Sequence, residues 1–195
     1  MTLIAITGGI GSGKSIVARL VGVMGYEVYD CDSRAKALMI GDDEVRGKLV
    51  EAFGKETYLD DGSLNRQHLS RMAFADDLAR DRLNAIVHPA TARDLMSWAE
   101  RQRAQGATVA FCETALLRTS GLDRVVDGVW HVTAPDEVRI NRVMARNGFT
   151  AQQVKDRMAA QIHEDSVAAG EQVIVNDNAS ALLPQVLKLL KKIQQ

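Results

Sequence analysis

Gly8-Gly9-Ile10-Gly11-Ser12-Gly13-Lys14-Ser15 stands between an apolar run, Leu3 to Thr7, and a stretch with helical apolar spacing. The pattern is G-x-x-x-x-G-K-[ST] in a strand-to-helix turn, and it leaves the backbone little choice. Glycines let the chain turn sharply, so that successive N–H groups point inward, and a helix starting near Lys14 adds the positive end of its dipole. Such a concavity holds phosphate. In this reading Gly9, Gly11, Ser12, Gly13 and Ile16 line the nucleotide, Lys14 bridges its outer phosphates and Ser15 coordinates Mg²⁺. Ile16 stands outside the residues the pattern requires.

The rest of the chain supplies a sheet for that turn. Short β-type runs at Glu27 to Asp30, Thr108 to Glu113, Val129 to Thr133 and Gln172 to Val175 alternate with helical stretches. Alternation of this kind predicts an α/β fold, a doubly wound parallel sheet of about five strands. Val109-Ala110-Phe111-Cys112 is continuously apolar, as suits a strand covered on both faces. Gly25, Gly106 and Gly148 follow helical patterns, and Thr150 with Gln153 has capping-box spacing. The interval from Asp32 to Gln105 is too long for one crossover and predicts an inserted helical subdomain, broken near Gly41, Gly54 to Gly62 and His88-Pro89. The expected division is a core of about 1–31, 106–135 and 170–195, an acceptor-binding insertion of about 32–105, and a helical lid of about 136–169.

A net charge of −1 gives no global field to collect nucleic acid or an anionic membrane, so a small phosphorylated substrate is expected. The sequence opens straight into its first strand-like run, and the reading is a cytoplasmic enzyme that is a monomer, with association left open. Cys31 and Cys112 lack zinc-ligand company and read as small buried hydrophobes.

Several residues admit two readings. Asp30 and Asp32 follow the second strand, at the edge where ligands of open α/β sheets collect; a carboxylate there could take a hydroxyl proton and help hold Mg²⁺, or simply cap the next helix. Arg139, Arg142 and Arg146 share a helical face, and Arg157 follows in the next helix. The face could be solvated, or it could close over phosphates. Pro89 suits the first turn of a helix running to Gln105, with His88 as its cap. Asn176 and Asp177 suit a turn.

The loop, Asp30-Cys31-Asp32, Leu83-Asn84-Ala85-Ile86-Val87-His88-Pro89, Arg142 to Arg146, Arg157 to Gln161 and Val173 to Asn178 together resemble the dephospho-CoA kinase family. The resemblance covers most of the chain, and the Leu-Asn-Ala-x-x-His-Pro string is its most restrictive part. It implies a P-loop kinase fold and transfer of phosphate from ATP, with Mg²⁺, to the ribose 3′-hydroxyl of dephospho-CoA, the last step of coenzyme A biosynthesis. It makes Asp32 the base and a metal ligand, with Lys14 and Arg142 catalytic. Arg142 and Arg146 meet the nucleotide, His88, Pro89, Arg157 and Gln161 bind the acceptor, and Asn176 borders the adenine. Arg139 lies outside the family pattern and reads as surface. Glu113-Thr114-Ala115-Leu116-Leu117-Arg118-Thr119 departs from the family's Asp-x-Pro-Leu-Leu-Phe-Glu string at Ala115, Arg118 and Thr119. Another nucleoside or nucleotide kinase, and a P-loop ATPase or switch, are the alternatives.

Overall fold

The computed structural model describes residues 1–73 and 77–193, which divide into two compact units, Met1–Asp30 with Ala99–Gln195, and Cys31–Trp98. In the first unit five strands, β1 (Thr2–Thr7), β2 (Glu27–Asp30), β3 (Val109–Glu113), β4 (Gly128–Thr133) and β5 (Gln172–Val175), form one sheet. All pairings are parallel and the order is β2-β3-β1-β4-β5. Chain reversal after β1 and after β4 therefore opens at the same sheet edge, the one that carries the C-terminal ends of the strands.

The central strands carry the apolar runs because both of their faces are covered. Phe111 and Trp130 are buried, with ring centroids 5.0 Å apart, and Tyr26 meets Phe111 edge-on at 5.5 Å. Val17 and Val21 of helix α1 (Lys14–Val23), and Val186, Leu189 and Leu190 of α9 (Leu182–Ile193), complete this core. Each large side chain so buried contributes roughly 1.5–3 kcal/mol. Cys31 and Cys112 are both buried, as expected of small apolar side chains.

Between β4 and β5 run α6 (Asp136–Asn147), α7 (Ala151–Ala160) and the single turn α8 (Ile162–Asp165). Gly148 ends α6 at φ 68°, donating its N–H to Met144 O. Thr150 opens α7: its hydroxyl accepts from Gln153 N, and the Gln153 side chain accepts from Thr150 N, so both halves of the capping box are present.

The second unit is helical: α2 (Cys31–Gly41), α3 (Asp43–Phe53), α4 (Arg66–Ala73) and the greater part of α5 (Asp77–Ala104). Asp42 caps α3 by accepting from Val45 N at 2.9 Å. Val45, Leu49 and Phe53, four residues apart on one face, pack with Leu69 and Ala90. Arg34 grips Asp94 through two bonds, 2.9 and 3.1 Å. No helix among the described residues is long and apolar enough to cross a membrane.

One sequence expectation fails here. No helix begins at Pro89; α5 runs unbroken from Asp77 to Ala104 with Pro89 inside it, so His88 caps nothing. Proline removes one helical hydrogen bond, but Val87 and Ala90 on either side are buried, and the Thr91 hydroxyl donates to Val87 O at 2.9 Å. Packing holds the helix through its weak turn.

Candidate active site at the phosphate-binding loop

The loop follows β1 directly and α1 begins at Lys14, with Gly13 at φ 94° as its left-handed cap. A Cβ at Gly13 would strike the Asn176 side-chain nitrogen, so glycine there is required by both conformation and space. Three successive carbonyls of the loop are held from outside. Ile10 O accepts from Arg139 Nε at 3.0 Å. Gly11 O accepts from Arg142 Nη1 at 3.4 Å. Ser12 O accepts from Asn176 Nδ2 at 2.8 Å and from Arg142 Nη1 at 3.4 Å. In a trans peptide the N–H points opposite to the C=O, so the amides of Gly11 and Gly13 turn toward the loop's concave side. Ser12 N closes a turn on Gly9 O at 3.1 Å instead.

Arg142 is half-buried and also reaches Asn176 Oδ1 at 3.1 Å and Asn178 Oδ1. Asn176, 6% exposed, bridges the loop and this guanidinium through its two ends. Asp177 by contrast serves the following turn: the amides of Ser180 and Ala179 hold its carboxyl below the usual range. The two neighbours thus split the expected roles.

Ser15 Oγ donates to Glu113 Oε1 at 2.7 Å. Register explains the meeting. Glu113 closes β3 opposite Ile6 of β1 and opposite Asp30 of β2, which brings an acid to the mouth of the loop. Among the described residues no group of three or more His, Cys, Asp or Glu gathers as a metal cage. Mg²⁺ in a phosphate site needs no such cage, since phosphate and water oxygens supply most of its ligands; the hydroxyl of Ser15 beside a carboxylate is a suitable hard-oxygen set.

The remaining expected residues are placed as follows. Lys14 is the first residue of α1 and half-buried. Ile16 has its N–H on Gly13 O and its side chain 52% exposed. Arg146 is in the last turn of α6, bonded to Asn147 Oδ1 at 2.9 Å. Arg157 lies over the Phe149 ring, 4.5 Å from its centroid. Gln161 ends α7 and accepts from Ile10 N at 3.0 Å. In the second unit, Asp32 is exposed in the first turn of α2, His88 is half-buried in α5 and Pro89 exposed beside it.

Arg139 must be corrected. It is 4% exposed, not a surface residue: besides Ile10 O it pairs with Asp165, whose other oxygen accepts from Gly9 N at 3.2 Å. Sequence reasoning also left Glu113 without a role, although an acid directly after an apolar strand was its visible signal. At the departed string, Arg118 binds Glu171 and the carbonyls of His163 and Glu164, and the Glu164 carboxylate accepts from Arg118 N and Thr119 N.

Comparison with known proteins gives the family. The family profile described as dephospho-CoA kinase matches residues 2–181. A dephospho-CoA kinase of Porphyromonas gingivalis is 36% identical over 100% of the chain and 95% of the relative. One of Geobacter sulfurreducens is 40% identical over 92% and 91%. A solved structure from Thermus thermophilus superposes with a TM-score of 0.78 at 32% identity, covering 99% of this chain and 96% of that one. A dephospho-CoA kinase from Campylobacter jejuni reaches 0.72 at 21% identity, 98% and 96% covered, a likeness of fold. With an intact loop, an acid on its serine and a profile match over nearly the whole length, the chain belongs to the dephospho-CoA kinase family.

Proposed function

We propose that this kinase transfers the γ-phosphoryl group of ATP to the ribose 3′-hydroxyl of dephospho-CoA, giving CoA and ADP. The observation that carries the reading is the intact phosphate loop, Gly8 to Ser15, inside a family match that spans residues 2–181.

In this mechanism the loop amides and the α1 N-terminus bind the phosphates, and Lys14 offsets charge on the transferring group. Ser15, with Glu113 bonded to its hydroxyl, would hold Mg²⁺, which would supply neutralisation of the phosphate charge. Asp32 is the base proposed for the acceptor hydroxyl, and Asp30, at the end of β2, is the neighbour it is to be tested against. Arg142, bonded to two carbonyls of the loop, is the residue proposed to add its charge to the phosphates. Residues 136–169 act as the lid, with its moving part between the anchors Arg142 and Gln161; Arg146 and Arg157 ride on it. His88, Pro89 and Arg157 serve the acceptor.

ADP release measured by a coupled assay with adenosine, AMP and dephospho-CoA in turn tests the proposal. Turnover should require dephospho-CoA, and the product should carry the new phosphate on the 3′-oxygen. ADP release at the same rate with no acceptor would make the protein an ATPase and refute it.

A further inference from the structure

The first half of the phosphate loop is held by residues to which neither the loop motif nor the family pattern gives that task. Gly9 N donates to Asp165 Oδ1 at 3.2 Å and Ile10 N donates to Gln161 Oε1 at 3.0 Å. Arg139 closes the arrangement: its Nε donates to Ile10 O at 3.0 Å and its Nη1 to Asp165 Oδ2, with Asp136 at 3.5 Å as a weaker partner. Two successive peptide groups, on either side of the Ile10 Cα, are thus gripped. Ile10 gives its N–H to α7 and its C=O to α6.

The packing is as tight as the bonding. The Arg139 side chain is 5% exposed, and its Nη2 is buried with no hydrogen-bond partner. A Cβ on Gly9 would strike that nitrogen and also lie 2.5 Å from Asp165 Oδ1. Gly9 does not have a positive φ, so backbone strain is not what selects glycine there. The pair lying on its Cα does. A Cβ on Gly11 would come within 2.7 Å of Arg139 O, so the backbone of α6 presses on the loop at a second point.

We infer that Arg139, Asp165 and Gln161 are positioning residues for nucleotide: they fix Gly9 and Ile10, and so preorganise the amides that follow for the phosphates. Because their oxygens already satisfy the N–H groups of Gly9 and Ile10, those two amides are not phosphate donors; the task falls to Gly11 and the residues from Gly13 onward. Fixing the loop in advance removes an ordering cost from binding. The role rests on the loop binding ATP, but it is independent of which acceptor receives the phosphate.

The test is titration of Mg·ATP into full-length protein by calorimetry, well below the melting temperature, for Arg139→Met, Asp165→Ala and the double variant. Losing a charge-assisted bond from the arrangement should weaken ATP binding roughly ten- to hundredfold in either single variant. The double variant should lose little more than a single one, because the residues act as one unit. kcat at saturating ATP should stay within about threefold of wild type, and the affinity for dephospho-CoA should be unchanged, a split that a general loss of structure would not produce. Gly9→Ala supplies the second arm. It should weaken ATP binding in the wild-type background and have no further effect when Asp165 and Arg139 have both been cut back. Should the Arg139 variants fail to fold, Gln161→Ala, which removes only the neutral bond to Ile10 N, should still raise the dissociation constant for ATP about three- to tenfold. Wild-type ATP affinity in the folded variants overturns the inference, and so does additive loss in the double variant or equal loss of affinity for both substrates. The expected losses of ATP affinity beside no turnover of dephospho-CoA by wild type would refute the proposed reaction alone, whereas wild-type ATP affinity in the variants beside normal turnover would refute this inference alone.

Discussion

Replacing Glu113 tests the proposed metal site most directly. Its carboxylate accepts the Ser15 hydroxyl at 2.7 Å, an ordinary length for an O–H···O bond. Glu113→Gln keeps the shape and leaves an oxygen that can still accept that bond, so the variant isolates the charge. A bond to a charged acceptor is worth about 1.5–3 kcal/mol and a neutral one about 1 kcal/mol, so roughly 0.5–2 kcal/mol is at stake. At 1.4 kcal/mol per factor of ten, that is a loss of roughly two- to thirtyfold in Mg²⁺ affinity. The strand ladder holding Glu113 opposite Ile6 and Asp30 is made by backbone groups, so the fold should be retained. The assay is turnover at saturating ATP and dephospho-CoA against Mg²⁺ concentration. The half-saturating concentration should move up by that factor, with most of kcat recovered at high Mg²⁺. Glu113→Ala should shift it further, since Ser15 then loses its acceptor as well. A Glu113→Gln curve that overlays wild type would show that the charge beside Ser15 does not bear on the metal, and the assignment of this edge would be wrong.

Other residues give shorter tests. Lys14→Ala should lower turnover by about 10²–10³-fold without loss of fold, checked by steady-state kinetics beside circular dichroism. Asp32→Asn should cost ~10²–10⁴-fold in transfer while ATP still binds; a larger loss in Asp30→Asn would move the base to that position. Asn176→Ala strips a buried donor from Ser12 O and an acceptor from Arg142, about 1–3 kcal/mol, and should lower the melting temperature by about 2–10 °C; an unchanged melting curve would contradict the bridge described here. Pro89→Ala restores a helical N–H within α5 and should raise the melting temperature by about 3–10 °C while weakening dephospho-CoA binding; a gain in stability with unchanged acceptor affinity would leave Pro89 out of the acceptor site.

How far the sequence could be read depended on where the partner of each residue lies. The strand β3 was legible because a strand covered on both faces must be apolar throughout, and Val109 to Cys112 has no other reason to be so uniform. The capping box at Thr150 and the turn at Gly148 were legible because each is satisfied within a few residues of itself. Pro89 misled for the same reason in reverse. Its local rule favours a helix start, and what overrode it was burial of Val87 and Ala90, which no local rule contains.

Glu113 and Arg139 mark the next step of difficulty. An acid after an apolar strand was visible, but its meeting with Ser15 depends on the register of β3 against β1, a property of the sheet and not of either strand. For Arg139 the spacing of three and four correctly put it on one face with Arg142 and Arg146, yet a shared face says nothing of what that face meets. Arg142 and Arg139 turn inward, onto carbonyls of the loop, whereas Arg146 stays at the surface. A backbone carbonyl is the same acceptor in every residue, so it leaves no trace in the sequence. Of the two carboxylates that meet Arg139, Asp136 is the more distant, and Asp165 lies 26 residues further on, in a helix of a single turn that has no periodicity to announce it. What did mark the place was the absence of a side chain. Gly9 is glycine where its backbone does not need to be, and the space that a Cβ would fill is taken by Arg139 and Asp165.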